Sequence, residues 1–287
     1  MNKKLMAALL AGSALTATTA MAGEVKFTGD LYFGAGSQTG TDGNVDDLDP
    51  IFFGGKGSLY SPLDNPKLSV TVDLFAEHGD GIVDLFGGPG EQDYTTFGGA
   101  AHFTYTQGKR YSLGLVGALI GAEAPDDEDP AYYLFGAEGK FMLDRGSVWG
   151  QVGYFDTMDE DGFPDFLTET SFARVGVNYY LEDNLKLAAE AGFYDGLVED
   201  TDPAPFSIYR LELEHQTFEQ VSLYAAYQYL SMDNTDEDDN VQSNTFNVGL
   251  RFRYGENAAG SLMSNEQTNS LGVPPVLHAI GLSNRFD

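Results

Sequence analysis

Charged residues recur at alternating positions within otherwise apolar segments of this chain. Lys186 and Glu190, for example, alternate with Leu185, Leu187 and Ala189. In an extended strand these two sets point to opposite faces. Charges gathered on one face can pair with each other or attract charged solutes. The residues of this kind that we single out as candidate pore-lining residues are Asp30, Lys56, Asp73, Glu138, Arg174, Lys186, Glu190, Arg210, Glu212, Arg251 and Arg253.

Four of these residues are expected at similar depth on neighbouring strands. They are Arg174, Glu190, Arg210 and Glu212, and their alternating signs predict an ion-pair ladder. Two roles are open for such a ladder. It either selects solutes as the charged lining of a pore, or fills a narrow lumen as a structural network.

Clustered carboxylates in polar segments suit hard cations such as Ca²⁺ and Mg²⁺. Residues 157–168 approach a calcium-loop pattern, with Gly162 at the sixth position, but Thr157 and Thr168 stand where the pattern has acids. A solvated, repulsive surface is the alternative interpretation. No other cofactor is predicted. The candidate weak cation ligands are Asp159, Asp161, Asp236 and Asp238.

The histidines are the natural place to look for catalysis, because a nucleophile needs a base within reach. His102 is expected to face inward, and we find no serine to partner it. The sequence therefore predicts a protein that is not an enzyme.

Twelve segments carry apolar alternation, and most have the 9 to 12 residues that a tilted strand needs to cross a bilayer. They predict an all-β fold, a transmembrane antiparallel up-and-down barrel of 12 strands. The segments are 24–35, 51–60, 67–77, 94–106, 111–121, 131–143, 148–155, 170–181, 185–194, 206–216, 221–231 and 244–254.

The connections between these segments alternate between short and long. The acidic residues are concentrated in the long connections. The short links comprise three to six residues. The six long segments, 37–50, 78–93, 122–130, 156–169, 195–205 and 232–243, contain 28 of the 44 acidic residues and no lysine or arginine. Outer-membrane barrels have short periplasmic turns and long outer loops. The long acidic segments are therefore predicted to be the outer loops.

The amino terminus has the pattern of a secretory signal. Lys3 and Lys4 precede an apolar run at 5–15, and Ala20-Met21-Ala22 forms a small-x-small cleavage site. We expect a signal peptide at 1–22, a barrel at 23–254 and a tail at 255–287. The chain has no cysteine, which excludes a lipid anchor and a disulfide scaffold. Its net charge of −29 argues against nucleic acid as a partner.

Two segments bear on how open the lumen is. The 78–93 loop is the longest, and its Ile82, Val83, Leu85 and Phe86 predict an inward-folded constriction. The alternative is that these residues pack on other loops outside. The tail contains the prolines of Gly272-Val-Pro-Pro275, which disfavour a thirteenth strand. It is either a periplasmic segment or one that enters the lumen.

The last segment, N-T-F-N-V-G-L-R-F-R-Y at 244–254, resembles the terminal strand of bacterial outer-membrane proteins, which serves as their assembly signal. It departs from that class in position, because 33 residues follow it. The first segment, E-V-K-F-T-G-D-L-Y-F-G-A, resembles the first strand of the general porins. The resemblance implies the outer membrane of a Gram-negative bacterium, contact with its lipid and lipopolysaccharide, and delivery by the barrel-assembly machinery.

Together these patterns predict a porin-like channel for passive diffusion of small hydrophilic solutes or ions, with a mild preference for cations. The alternative is a closed structural or adhesive barrel whose acidic loops bind ions. Both a monomer and a trimer are compatible with these patterns.

Overall fold

In the computed structural model, the described part of the chain comprises residues 25–40, 51–83, 91–108, 110–123, 131–158, 168–198, 202–203, 205–234, 239–255, 261–266 and 271–272. It forms thirteen strands and one short helix. They are β1 (Lys26–Gly40), β2 (Ile51–Pro62), β3 (Leu68–Val83), β4 (Glu91–Gln107), β5 (Tyr111–Glu123), β6 (Ala131–Leu143), β7 (Gly146–Thr157), β8 (Thr168–Glu182), β9 (Leu185–Val198), β10 (Asp202–Pro203), β11 (Phe206–Phe218), β12 (Val221–Asn234), β13 (Asp239–Gly255) and α1 (Leu262–Asn265).

The twelve long strands close into a ring in which each pairs antiparallel with both neighbours. Closure is made by β1 and β13, whose register runs from Lys26 opposite Gly255 to Gly40 opposite Val241. The two-residue strand β10 adds only to β9. A closed ring leaves no long strand with an unpaired edge. The predicted 12-stranded antiparallel barrel is confirmed.

Alternation of side chains separates the two surfaces of the barrel wall. Along β8, Phe172 and Arg174 are buried inside, whereas Val175, Val177 and Tyr179 are exposed on the outer surface. Leu115 on β5 is 63 % exposed in the same way. An outer surface of large apolar side chains is suited to hydrocarbon, where a charge near the midplane costs roughly 2–4 kcal/mol.

Several strands are longer than the apolar alternation predicts, mainly at the ends away from the short turns. The last strand begins at Asp239 rather than at residue 244, and β3 ends at Val83 rather than at residue 77. Ladder hydrogen bonds join backbone groups, so pairing continues into polar sequence where the apolar pattern has ended. Among the described residues, no helix is long and apolar enough to cross a membrane.

One end of the barrel, which we call the turn end, carries the five short connections. These are residues 63–67, 108–110, 144–145, 183–184 and 219–220. The opposite end, the loop end, is where the strands that flank the long acidic segments begin and end. This arrangement agrees with the predicted division into short turns and long loops.

Two glycines let aromatic rings lie close against the inner wall. A Cβ at Gly249 would come 2.5 Å from the ring of Tyr224 on the neighbouring strand, and one at Gly176 would collide with the ring of Trp149. Glycine is needed at both positions because the ring occupies the space of a side chain. The two rings thereby provide flat surfaces on which arginine side chains can lie.

Candidate functional site

The inner wall between β9 and β1 is dominated by an ion-pair cluster around Arg251, which we call the Arg251 cluster. Its guanidinium joins three strands. Nε lies 2.7 Å from Asp30 Oδ1, and Nη1 lies 3.1 Å from Glu212 Oε1 and 2.5 Å from Glu214 Oε2. The guanidinium carbon also lies 4.8 Å from the ring centroid of Tyr224, a cation–π contact. Arg251 therefore neutralises carboxylates from both sides of β13.

The remaining members of the cluster surround the same two glutamates. Lys186 Nζ is 3.1 Å from Glu212 Oε1 and 2.7 Å from Glu214 Oε2, and Arg253 Nη2 is 2.5 Å from Glu214 Oε1. Arg210 Nη2 reaches Glu212 Oε2 at 3.2 Å. Buried charges persist when they are paired and hydrogen-bonded. Four cations around three carboxylates fill this side of the lumen.

Arg174 on β8 forms a second polar centre. Nη1 lies 3.0 Å from Glu190 Oε1 on β9, and Nε donates to Gln151 Oε1 on β7 at 2.9 Å. The guanidinium carbon lies 5.0 Å from the Trp149 ring, which rests against Gly176. The planar guanidinium thus has partners both in its plane and on its face.

A third group, the His102 cluster, lies on the opposite wall. Lys56 Nζ is 3.2 Å from Asp73 Oδ2, and His102 Nε2 is 3.4 Å from the same oxygen. His102 Nδ1 is 3.0 Å from Glu138 Oε2, which also accepts a hydrogen bond from Gln151 Nε2 at 3.0 Å. The ring therefore bridges two carboxylates, one on β3 and one on β6.

A cavity of about 420 Å³ lies beside the His102 cluster and reaches the turn end. Hydroxyl groups of Thr71, Thr104 and Ser112 line it, together with the charged groups of Glu138 and Lys140. Such a lining offers donors and acceptors to a hydrated solute. The wall of β3–β6 thus borders open space, whereas the wall at the Arg251 cluster is filled by side chains.

Towards the loop end, the inner wall of β5–β12 becomes apolar, which the charged pattern does not predict. Tyr194 and Phe206 stack with ring centroids 4.3 Å apart, and Tyr132 packs edge-on against Phe155. All four side chains are almost completely buried. The lining therefore changes from polar to aromatic along the barrel.

The described residues of the tail lie among these inward-facing side chains. Glu266 is 1 % exposed. It accepts hydrogen bonds from Ser147 Oγ at 2.5 Å, from Asn178 Nδ2 at 2.8 Å and from the Tyr180 hydroxyl. Lys140 Nζ lies 3.9 Å from its carboxylate and donates to its backbone carbonyl at 3.0 Å. One side chain of the tail is thus held by three neighbouring strands, β6, β7 and β8.

A second anchor holds the tail near the middle of the lumen. Arg174 Nη2 donates to the carbonyl oxygens of Leu271 and Gly272, at 2.7 Å in both cases. A Cβ at Gly272 would lie 2.7 Å from Lys56 Nζ on β2, and the residue has φ +69°. Strands β2 and β8 are six apart in a ring of twelve. Gly272 therefore lies between opposite walls, in a conformation that favours glycine.

The structure brings ten of the eleven candidate lining residues into ion pairs between a lysine or arginine and a carboxylate, and the eleventh, Glu138, contacts His102. Of the expected four-membered ladder, the described contacts contain two pairs, Arg174 with Glu190 and Arg210 with Glu212, and Glu212 is also paired with Lys186 and Arg251. The backbone of Ile82 and Val83 pairs with Gln92 and Glu91 in the β3–β4 hairpin, and the inward-folded constriction stays a prediction. The hairpin ladder resumes after an irregularity between Gly79 and Ile82.

Other sequence candidates fall outside the described part of the chain. These are Leu85, Phe86, Asp159, Asp161, Asp236 and Asp238. Within the described ranges, no group of three or more acidic or histidine side chains is placed to hold a metal ion.

Three important residues are absent from the eleven predicted lining residues. Glu214 is a member of the same alternating set as Glu212, so its inward face was readable, but its central position was not. His102 is predicted to face inward, but the sequence does not indicate its carboxylate partners. Glu266 lies in a polar segment without periodicity, 119 positions from Ser147, and carries no local signal.

Solved structures with the same architecture are outer-membrane barrels. An outer membrane channel of Pseudomonas putida F1 aligns with a TM-score of 0.60 at 14% identity, over 81% of this chain and 96% of that one. The beta domain of the Bordetella autotransporter Brka gives 0.51 at 14% identity, over 81% and 100%. The deltaS2S3 mutant of the monoaromatic hydrocarbon channel TodX gives 0.50 at 8% identity, over 83% and 92%. Neither a protein-family profile nor a curated protein sequence matches the chain. At these identities the likeness establishes the outer-membrane barrel fold.

Proposed function

We propose that this protein is an outer-membrane channel for passive diffusion of small hydrophilic solutes or ions, with its turn end in the periplasm of a Gram-negative bacterium. The observation that carries the proposal is the 420 Å³ cavity on the inner wall, lined by hydroxyl, carboxylate and ammonium groups and reaching the turn end. Its proposed partners are outer-membrane lipid, lipopolysaccharide and the barrel-assembly machinery.

The distribution of side chains supports a route along one side of the lumen. The Arg251 cluster fills the wall between β9 and β1, and the aromatic side chains fill the loop end of β5–β12. The route that we propose follows β3–β6 past Thr104 and Ser112. Two of the similar solved structures, from Pseudomonas putida F1 and TodX, are themselves named as channels.

We further propose that the channel favours cations mildly. The long segments contain 28 carboxylates and no lysine or arginine, so they raise cation concentration at the outer mouth. The effect must weaken with salt, since the Debye length falls from about 10 Å at 0.1 M to about 3 Å at 1 M.

Recordings of the purified protein in planar bilayers test both proposals. We expect discrete conductance steps and a reversal potential that favours K⁺ over Cl⁻ in a KCl gradient at low salt. A variant with Asp126, Asp127 and Asp129 changed to Asn is expected to conduct with a smaller cation preference. The absence of steps in inserted protein would contradict channel function, and an unchanged reversal potential in the variant would contradict the role of the loops.

Occupation of the lumen by the tail favours a second candidate, a closed structural or adhesive barrel. In that case the acidic loops bind Ca²⁺ or Mg²⁺ weakly, at Asp159, Asp161, Asp236 and Asp238. The two candidates are separated by recordings of the full-length protein, because a barrel closed by its tail stays non-conducting until the tail is removed.

A further inference from the structure

The tail contact at Glu266 has the composition of a ligand-binding site. Ser147, Asn178 and Tyr180 present three neutral donors to one carboxylate, and Lys140 adds a positive charge. Ser147 and Asn178 are opposite each other in the β7–β8 register, so the ladder itself sets their separation. A site built on paired strands keeps its geometry whether or not a ligand is bound.

We propose that Lys140, Ser147, Asn178 and Tyr180 form a carboxylate-binding site on the inner wall, that Glu266 is its resident ligand, and that a small carboxylate solute competes for it and releases the tail. We call these four residues the carboxylate site. The inference rests on the proposed channel function only for the route by which the solute arrives.

The adjacent cavity explains how a free solute reaches an occupied site. Lys140 lines this cavity and also contacts Glu266, and Leu271 of the tail forms part of the same lining. A solute in the cavity therefore meets the ammonium group that holds Glu266. It also touches the tail segment that Arg174 anchors.

The protonation state of Glu266 agrees with a site for the ionised form. Burial by itself raises the pKa of this carboxyl, but Lys140, Lys186 and the hydroxyl donors of Ser147 and Tyr180 together hold the pKa below its usual value. Ionisation therefore favours the docked tail. The contribution of ionised Glu266 to docking is fully present at pH values above the usual carboxyl pKa of about 4.3. It is lost as the pH falls through the lowered pKa of Glu266.

Competition is governed by the effective concentration of the tethered carboxylate. Tethering by a short segment of chain gives a ligand an effective concentration on the order of millimolar. A free monocarboxylate with no other contacts must reach comparable or higher concentrations to displace it. Solutes that also bind in the cavity need less.

Release of the tail can be followed without measuring current. Because the chain has no cysteine, Met263→Cys supplies a single thiol on α1 for labelling by a maleimide. Sodium propionate, which matches the end of a glutamate side chain, is titrated from about 1 to about 300 mM to span the effective concentration of the tether. Sodium chloride keeps ionic strength constant, and propionamide is the neutral control of the same shape.

We expect propionate to increase the labelling rate severalfold and to saturate, whereas propionamide and chloride leave the rate unchanged. With Glu266→Gln, labelling should be fast from the start and insensitive to propionate. Circular dichroism of each variant verifies the folded barrel. An equal response to propionamide, or no response to propionate, overturns the proposal, as does slow labelling of the Gln variant. Because no current is measured, these outcomes are independent of whether the barrel conducts.

Discussion

Replacing Arg251 with methionine is expected to destabilise the folded barrel by about 3–5 kcal/mol, the range for removing one partner of a buried ion pair. Its guanidinium contacts Asp30, Glu212 and Glu214, and Asp30 has no other ion pair within the described contacts. Methionine preserves much of the side-chain volume and removes the charge. Equilibrium unfolding in urea, with the barrel in lipid vesicles, measures the loss.

Arg210 is the matched control within the same cluster. Its side chain is one-quarter exposed and, within the described part of the chain, forms a single ion pair, with Glu212. Arg210→Met is therefore expected to cost no more than about 1 kcal/mol. Equal losses of unfolding free energy in the Arg251 and Arg210 variants would contradict a special role for the central position of Arg251. A cycle with Asp30→Asn isolates the Asp30–Arg251 coupling, expected at about 0.5–3 kcal/mol.

Ending the chain after Gly255 is expected to raise single-channel conductance severalfold. The described tail residues fill space between β8 and β2, where Gly272 lies against Arg174 on one wall and Lys56 on the other. Their removal widens the lumen at the level of these two cations. Planar-bilayer recordings of the shortened and full-length proteins in the same salt compare the two states directly.

A chain that ends after Gly272 is the matched control for this deletion. It keeps both anchors, Glu266 in the carboxylate site and the two carbonyl groups on Arg174. Its conductance is expected to match that of the full-length protein. If the chain ending at Gly255 also matches the full-length protein, the tail does not limit the channel.

The barrel was predictable from sequence because its determinants are local. Side chains alternate with a period of two along each strand, so the apolar residues Leu185 and Leu187 and the charged Lys186 identify their faces without any tertiary information. The predicted positions of the strand ends are less accurate. The pairing of Asn234 with Asp239 lies in polar sequence, where backbone hydrogen bonds continue without an apolar pattern.

The charged clusters on the inner wall were predictable only in part, because alternation gives the face of a residue but not its contacts. Alternation identified Arg251 and Glu212 as inward-facing, but their contact depends on how neighbouring strands are staggered. The central place of Glu214, between Lys186, Arg251 and Arg253, needs three such registers at once. The docking of Glu266 cannot be predicted from a local sequence pattern, because its partners are far from it in the chain.

The most direct measurement of channel function uses the absence of cysteine in the chain. Thr104→Cys places one thiol in the cavity on β4, and Leu115→Cys places one on the outer surface of β5. Both are introduced into the chain that ends after Gly255 and exposed to a trimethylammonium methanethiosulfonate reagent during planar-bilayer recording. The current is expected to fall on modification at Thr104→Cys and to stay constant at Leu115→Cys. A current that persists unchanged when mass spectrometry shows complete modification at Thr104→Cys would contradict passage of ions along β3–β6.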